Sequence, residues 1–221
     1  QWSYSDSTVR GNPRNPLIMP VAINGSGTIT GVSVGGLPDG IVDTDMIAAA
    51  AVTAAKRGAG AILQIQQTHL TTTSSQSLSQ ATVAEISGLS VSITPVSSTS
   101  DMLIFVRWNG EHGIGSNYNF VFGVRRDSTD IGNPSASGNR MTGQAIIAMG
   151  FAGTDASSTP DSCYYSFLDT ARSSGTSQIT YKATVKTNDA GTFYNQRTGS
   201  NLDTGDYELL TSNITVMEVA A

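Results

Sequence analysis

Residues 86 to 95 read ISGLSVSITP, and the positions from Leu89 to Ile93 alternate strictly between apolar residues and serine. An alternation with a period of two is typical of a β-strand with one face in a core and the other in water. Pro95 ends the run, because proline cannot donate a hydrogen bond to a neighbouring strand. We therefore expect a half-buried strand here.

Segments with strand patterns recur on both sides of this run. Met102 to Trp108 reads as a continuous apolar strand, as expected in the middle of a sandwich. The glycine-rich segment Asn109 to Gly115 predicts a turn after it. We predict further strands at Ile62 to Ile65, Val83 to Ile86, Tyr118 to Val124, Gln144 to Phe151, Cys163 to Leu168, Ile179 to Lys186 and Leu209 to Val219.

These short strands are separated by loops rich in glycine, serine and asparagine, and no helical pattern follows them. The pattern predicts an all-β fold, an antiparallel β-sandwich with a jelly-roll-like arrangement, over residues 61 to 221. The polar loops Asp127 to Thr142, Gly153 to Ser162 and Asn188 to Gly205 are long for hairpins. We expect any recognition surface to lie in them.

Composition narrows the classes of partner. The 221 residues include 28 Ser and 26 Thr, which favours β structure with many turns. The net charge is −5, and Lys and Arg do not cluster beyond two pairs, so nucleic acid is not an expected ligand. The longest apolar runs are far shorter than the roughly 18 to 20 residues of a membrane helix, so no membrane insertion is expected. Cys163 is the single cysteine, which excludes an intrachain disulfide.

Residues 1 to 36 differ from the rest of the chain. Three prolines, Pro13, Pro16 and Pro20, punctuate this region and keep the backbone extended. We interpret it as an extended docking arm. The docking candidates are Trp2, Tyr4, Leu17, Ile18 and Met19.

Residues 37 to 60 predict a short α-helical stalk or linker. The stretch Met46 to Ala55 contains six alanines and is followed by Lys56, Arg57 and Gly58, which are favourable at a helix C-terminus. Its narrow apolar seam fits either a parallel bundle with copies of itself or a single helix against its own domain. The stalk candidates are Met46, Ile47, Ala50, Ala51 and Ala54.

Residues suited to catalysis are scarce. The only histidines, His69 and His112, have neither metal-ligand spacing nor a nucleophile motif beside them, and we interpret both as surface or edge residues. No motif for a metal or another cofactor is found, so we predict a protein that is not an enzyme and uses no cofactor. Paired carboxylates for glycoside cleavage remain available among the acids of the C-terminal half, since sequence spacing does not give their separation.

Two aromatic pairs beside polar loops are candidates for receptor contact: Tyr164 with Tyr165, and Phe193 with Tyr194. Tyrosine offers apolar area with a polar tip, which suits stacking on a sugar or anchoring an interface. The alternative is that one ring of each pair faces the core and its neighbour covers an edge.

Several segments resemble a β domain of tail-fibre and related virion proteins of marine bacteriophages, cyanophage-like in type. The resemblance lies in residues 60 to 67 (GAILQIQQ), 86 to 95 (ISGLSVSITP), 102 to 106 (MLIFV), 179 to 182 (ITYK) and 214 to 219 (ITVMEV). The segment from Leu37 to Lys56 also resembles the short stalk repeats that precede such domains. The arm from Gln1 to Gly36 has no counterpart in this resemblance.

The resemblance implies a homotrimer with a stalk and a compact β head, located on the outside of a phage particle at the tail or the capsid. The arm would bind other virion proteins, and the head would contact a host-surface glycan or protein. Two alternatives remain open: a capsid decoration or cement protein held mainly by the arm, and a depolymerase of surface polysaccharide.

Overall fold

The fold consists of two packed antiparallel sheets, as the sequence predicts. A computed structural model describes residues 51–53, 56–113, 120–147, 158–173 and 175–221. The strands of these residues are β1 (Ile62–Leu70), β2 (Ser74–Leu78), β3 (Val83–Ile93), β4 (Asp101–Gly113), β5 (Phe120–Arg126), β6 (Thr129–Ile131), β7 (Asp161–Asp169), β8 (Ile179–Thr187), β9 (Gly191–Asn195) and β10 (Ser212–Val219). Every strand pair is antiparallel. The all-β sandwich is therefore confirmed.

Strand β4 organises the six-stranded sheet. One of its edges pairs with β7 along Met102 to Gly110. Its other edge pairs first with β10 and then with β9, and these two strands pair in turn with β1 and β2. The second sheet has four strands in the order β3-β8-β5-β6. Within the described residues, no helix is long and apolar enough to cross a membrane.

The core lies between the sheets and is centred on Trp108. Its indole ring stacks on Phe193 at 4.5 Å between centroids and lies 5.3 Å from Phe122 of the opposite sheet. The indole nitrogen donates a hydrogen bond to Asn195 Oδ1 at 2.8 Å, so its one polar group is satisfied inside the core. Cys163 is also buried, as the sequence suggests, and burial raises the pKa of its thiol to about 12.

Strand β3 joins two segments that the sequence analysis treats as separate strands. Its pairing with β8 shifts register between Glu85 and Ser90, and Gly88 within the shift has φ +76°. The bulge reverses the alternation, so that both Ile86 and Leu89 point into the core. Glycine suits this position because residues with a side chain rarely adopt a positive φ.

The predicted turn at residues 109 to 115 is wrong over its described part, because β4 continues to Gly113. Gly110 serves a close approach and not a turn: a Cβ there would fall on the carbonyl oxygen of Tyr194 and 2.7 Å from a ring carbon of Trp108. Three further strands lie in segments predicted as linker or loop, namely β2, β6 and β9. Strand β2 is rich in serine, and β6 and β9 are only three and five residues long, so none of them shows a clear alternating pattern.

Two other predictions need correction. The strand predicted at Gln144 to Phe151 is not formed over its described residues, 144 to 147. There Ala145 makes a single bridge to Phe122, on the edge of β5 that β6 leaves free beyond Val124. Of the predicted helix, the described residues 51 to 53 are irregular chain, so the helix prediction is wrong for Ala51. An alanine-rich segment has little side-chain area to bury, and helical propensity alone does not hold a short helix.

Candidate binding site on the six-stranded sheet

The two aromatic pairs are each split between the core and the surface. Tyr165 is 7% exposed and donates a hydrogen bond to the carbonyl oxygen of Gly123 at 2.7 Å, and Phe193 is fully buried against Trp108. Both are thereby removed from the receptor-contact candidates. Tyr164 is 63% exposed and Tyr194 is half-buried, and both point outward from the six-stranded sheet. The alternative interpretation, one ring of each pair in the core, is confirmed.

The segment from Gln196 to Thr211 folds across the outer face of this sheet, where it covers the outward side chains of Asn109 and Glu111. The Gly199 amide donates to Glu111 Oε2 at 2.6 Å, and Asn109 Nδ2 donates to the Thr211 carbonyl at 2.6 Å. Both covered side chains are consequently buried although they point away from the core. Contacts between buried polar groups fix the base of this loop.

Two more hydrogen bonds hold the ends of the loop together. The Leu210 amide donates to the Gln196 carbonyl at 3.0 Å, and Gln196 Nε2 donates to the buried Ser212 hydroxyl at 2.9 Å. Gln196 and Asn201 both adopt left-handed backbone conformations, with φ of 62° and 48°. A loop with this many constraints is ordered before a ligand arrives, which lowers the entropic cost of binding.

A shallow cleft of about 260 Å³ opens within the loop. Its walls combine a half-buried tyrosine, two exposed leucines, two exposed acids and hydroxyl and amide side chains; the lining residues are Thr198, Asn201, Leu202, Asp203, Thr204, Tyr207, Glu208 and Leu209. An aromatic face with carboxylate and amide acceptors around it matches the chemistry of a sugar, which has an apolar ring face and a rim of hydroxyl donors.

Tyr194 lies near the end of β9, two residues before the loop begins at Gln196. The guanidinium of Arg197 stands 4.5 Å from the centroid of its ring, and Arg197 Nη1 donates to the carbonyl oxygen of Thr198 at 2.9 Å. The stacked pair therefore braces the wall of the cleft that begins at Thr198. The sequence pattern marks Tyr194 but not Tyr207, which is isolated among acids and glycine and has no alternation beside it.

One of the two histidines is buried, contrary to the prediction from the sequence. His112 is buried in β4, with its Nε2 3.4 Å from Asp161 Oδ2 and its ring 4.5 Å from that of Phe120. The prediction of a surface position is therefore wrong for His112, because β4 continues through the expected turn. His69 is exposed on the edge strand β1, as expected.

The two most buried carboxylates have structural partners. Asp169 accepts from Arg126 Nη1 at 2.8 Å and from the Tyr181 hydroxyl at 2.8 Å. Glu218 accepts from Ser100 Oγ and Gln64 Nε2, each at 2.6 Å, and from the amides of Val96 and Ser97. Burial, the largest single influence, raises the pKa of Glu218, but the hydrogen bonds together outweigh it and lower the pKa below the ordinary 4.5.

A second cleft, of about 180 Å³, lies beside Arg126 and Arg172. Both guanidinium groups are already engaged. Arg126 binds Asp169, and Arg172 donates to the carbonyl oxygens of Ser97 and Gly175 at 2.8 and 3.0 Å and to that of Ser100. These contacts hold the loop after β7 against the loop before β4, so we assign the arginines a structural role.

The remaining predicted residues cannot be placed on this site. The docking candidates Trp2, Tyr4, Leu17, Ile18 and Met19 and the stalk candidates Met46, Ile47, Ala50 and Ala54 lie outside the described residues. Ala51 is described as half-buried irregular chain.

Fold and site together define a class, an antiparallel β-sandwich with an ordered loop and a shallow cleft on one outer face. The chain matches no protein-family model and no curated protein sequence.

Proposed function

We propose that this chain is a structural protein of a bacteriophage virion, a trimeric fibre or spike on the outside of the particle. Residues 1 to 36 attach it to other virion proteins, and the β-sandwich contacts the host surface. The resemblance of the strand segments to phage fibre heads supports the virion setting. The observation that carries the attachment role is the cleft beside Tyr207, whose lining matches a glycan.

The cleft suits binding better than catalysis. Asp203 and Glu208 are exposed, whereas a carboxyl that acts as a general acid is usually shielded from water. Exposed carboxylates can instead accept hydrogen bonds from sugar hydroxyls. The volume is just below the range of roughly 300 to 1,000 Å³ that encloses a small molecule, so the cleft holds a short part of an extended chain.

A shallow site of this kind binds weakly, and a trimer compensates for this weakness. Three heads on one fibre engage a repetitive polysaccharide together, because the second and third contacts form at a high effective concentration. Linking sites in this way raises the overall affinity by roughly a hundredfold or more without a new contact. The few charged residues of the chain keep such adhesion insensitive to salt.

Immunogold labelling of phage particles with an antibody against this chain tests the virion assignment. Gold on tail fibres is the expected result. Gold confined to the capsid surface would favour the decoration or cement alternative, and unlabelled particles would contradict a virion protein of either kind.

The attachment role is tested with polysaccharide extracted from cells that adsorb the labelled particles. Tyr207→Ala in the trimer should weaken binding at least tenfold, since stacking on the ring is lost. Tyr164→Ala is the matched control, because it removes an exposed tyrosine outside the cleft. A loss with Tyr164→Ala and none with Tyr207→Ala would move the site from the cleft to the sheet face.

One observation favours a second candidate, a polysaccharide depolymerase: Asp203 and Glu208 line the same cleft, and glycoside cleavage needs two carboxylates. Incubation of the protein with the same polysaccharide distinguishes the two functions by chain length. Shortening that is lost in Asp203→Asn or Glu208→Gln would establish the enzyme, and unchanged chain length favours attachment alone.

A further inference from the structure

The outer face of the six-stranded sheet carries a row of apolar side chains that crosses four strands. The register places Ile65 of β1 beside Met217 of β10, Met217 beside Leu103 of β4, and Leu103 beside Leu168 of β7. Ile65 is 54% exposed and Leu168 is 44% exposed, and the two between them are half-buried. The row is therefore open to water along its whole length.

The neighbouring rows extend this surface. On one side Phe105 lies between Thr215 and Ser166, and on the other side Val219 lies beside Ile62, which is 43% exposed. We call the three rows together the apolar face; its members are Ile62, Ile65, Gln67, Leu103, Phe105, Ser166, Leu168, Thr215, Met217 and Val219. None of these ten residues is charged, but Asp101 pairs with Val219 at the start of β4, and Arg107 lies on β4 in the row next to that of Phe105.

The outer face of the four-stranded sheet has the opposite character. Glu85 accepts from Lys182 at 2.9 Å and from Arg125 at 3.3 Å, and Arg125 also binds Asp130 at 2.7 Å. Charged groups thus cover the centre of that face and keep it in water. Two sheets of one sandwich that differ so strongly on their outer faces indicate different surroundings.

We infer that the apolar face is where copies of this chain meet. If three copies pack this sheet face around a three-fold axis, the residues nearest the axis lie close to their own equivalents, and charged residues of one sign would repel there. The ten residues of the apolar face include no charged side chain. Its uncharged hydroxyl and amide groups can both donate and accept, which suits contact with an identical surface. The number of copies, three, rests on the proposed function; the location of the contact rests on the apolar face.

The size of the apolar face agrees with this role. Four strands about 4.8 Å apart and three rows about 6.6 Å apart cover roughly 380 Å² of sheet plane. This is about half of the roughly 800 Å² that each partner contributes to a stable interface. It also matches the largest apolar patches on single proteins, which are roughly 300 to 600 Å² and commonly mark interaction sites.

Sedimentation velocity of the full chain tests the inference with the double variant Ile65→Lys, Leu168→Lys. The two lysines would have to bury unpaired charges in an apolar interface, so the variant should sediment as a monomer while the unchanged protein sediments as a trimer. Both positions are exposed, and the β circular dichroism spectrum should be retained. Ile146→Lys, at an apolar residue that is 68% exposed elsewhere, is the matched control and should stay trimeric.

Oxidative footprinting gives a second readout that requires no variant. Met217 should be oxidised several times more slowly in the trimer than after dilution to monomer, whereas the half-buried Met141 outside the apolar face should show no change. This comparison tests whether the apolar face is the contact between copies even if the lysine variant does not fold.

The outcomes separate this inference from the proposed function. A double variant that remains a trimer, with Met217 equally reactive at all concentrations, would overturn the inference and leave the trimer standing. An unchanged protein that is monomeric would overturn both. A monomer in which Met217 is nonetheless shielded would assign the apolar face to residues 1 to 50 of the same chain and also overturn the inference.

Discussion

Ser100 Oγ lies 2.6 Å from Glu218 Oε1, and this hydrogen bond joins the beginning of β4 to the end of β10 inside the core. Glu218 is fully buried, and hydroxyl, amide and backbone N–H donors hold its charge. A carboxylate held in this way depends on all of its donors, because any unmade hydrogen bond leaves a buried charge unsatisfied.

Replacing the carboxylate should therefore destabilise the fold. Glu218→Gln removes the charge and puts an amide NH₂ group where four groups donate to a carboxylate, so at least one of these hydrogen bonds is lost. We expect the free energy of unfolding to fall by about 1 to 3 kcal/mol in urea denaturation. Glu85→Gln is the control, because Glu85 is a surface acid with charged partners, and should cost less than about 1 kcal/mol. Equal losses in the two variants would contradict the role given to Glu218.

The same carboxylate should make stability depend on pH. Its pKa is lowered in the folded protein, so its contribution is fully present above the unfolded value of about 4.5 and is lost as the pH falls through the lower folded value. The midpoint of urea unfolding, measured from pH 6 down to pH 3, should fall more steeply for the unchanged protein than for Glu218→Gln. Parallel curves for the two proteins would argue against this linkage.

Gly110 should not tolerate a side chain. Gly110→Ala places a methyl group on the carbonyl oxygen of Tyr194 and against the Trp108 ring, and a strand backbone in mid-sheet cannot move away cheaply. The expected loss is about 3 kcal/mol or more, measured by thermal or urea unfolding. Gly58→Ala is the control, since a Cβ there has no atom within 4 Å, and it should leave stability unchanged. A stable Gly110→Ala protein would disprove the continuation of β4 beside Tyr194.

The split within the first aromatic pair predicts two different responses to the same substitution. Tyr165→Phe removes the donor that satisfies the Gly123 carbonyl in the core and should cost about 1 to 3 kcal/mol. Tyr164→Phe, one residue away, removes a hydroxyl at the surface and should change stability by less than about 0.5 kcal/mol. Chemical denaturation of both variants checks the prediction, and a reversed order would place the wrong ring in the core.

The half-buried strands could be predicted from the sequence where alternation was clear. Leu89 to Ile93 and Met102 to Trp108 lie within strands, because apolar side chains on one face leave a pattern that needs no partner to be read. Strand β2, with the sequence SSQSL, gave no such signal. Its backbone hydrogen bonds come from β9, so the pairing and not the side chains makes it a strand.

The candidate site was predicted less completely. The sequence marked both aromatic pairs, but it could not say which ring of each faces outward, since both neighbours are apolar and either parity of the strand fits. The cleft beside Tyr207 and the apolar face depend on residues far apart in sequence, such as Ile65 and Leu168. Such neighbours follow from strand order, which local patterns do not encode.

The sequence by itself determined the class of the fold, because a period of two in hydrophobicity and an abundance of turn residues are local properties of the chain. Tertiary structure alone decided which polar residues are buried and which apolar ones are exposed. Glu218 is inside because four donors converge on it, and Leu168 is outside because β7 presents its other face to the core. The reason is physical: burial depends on what packs against a residue, and its partners here come from distant parts of the chain.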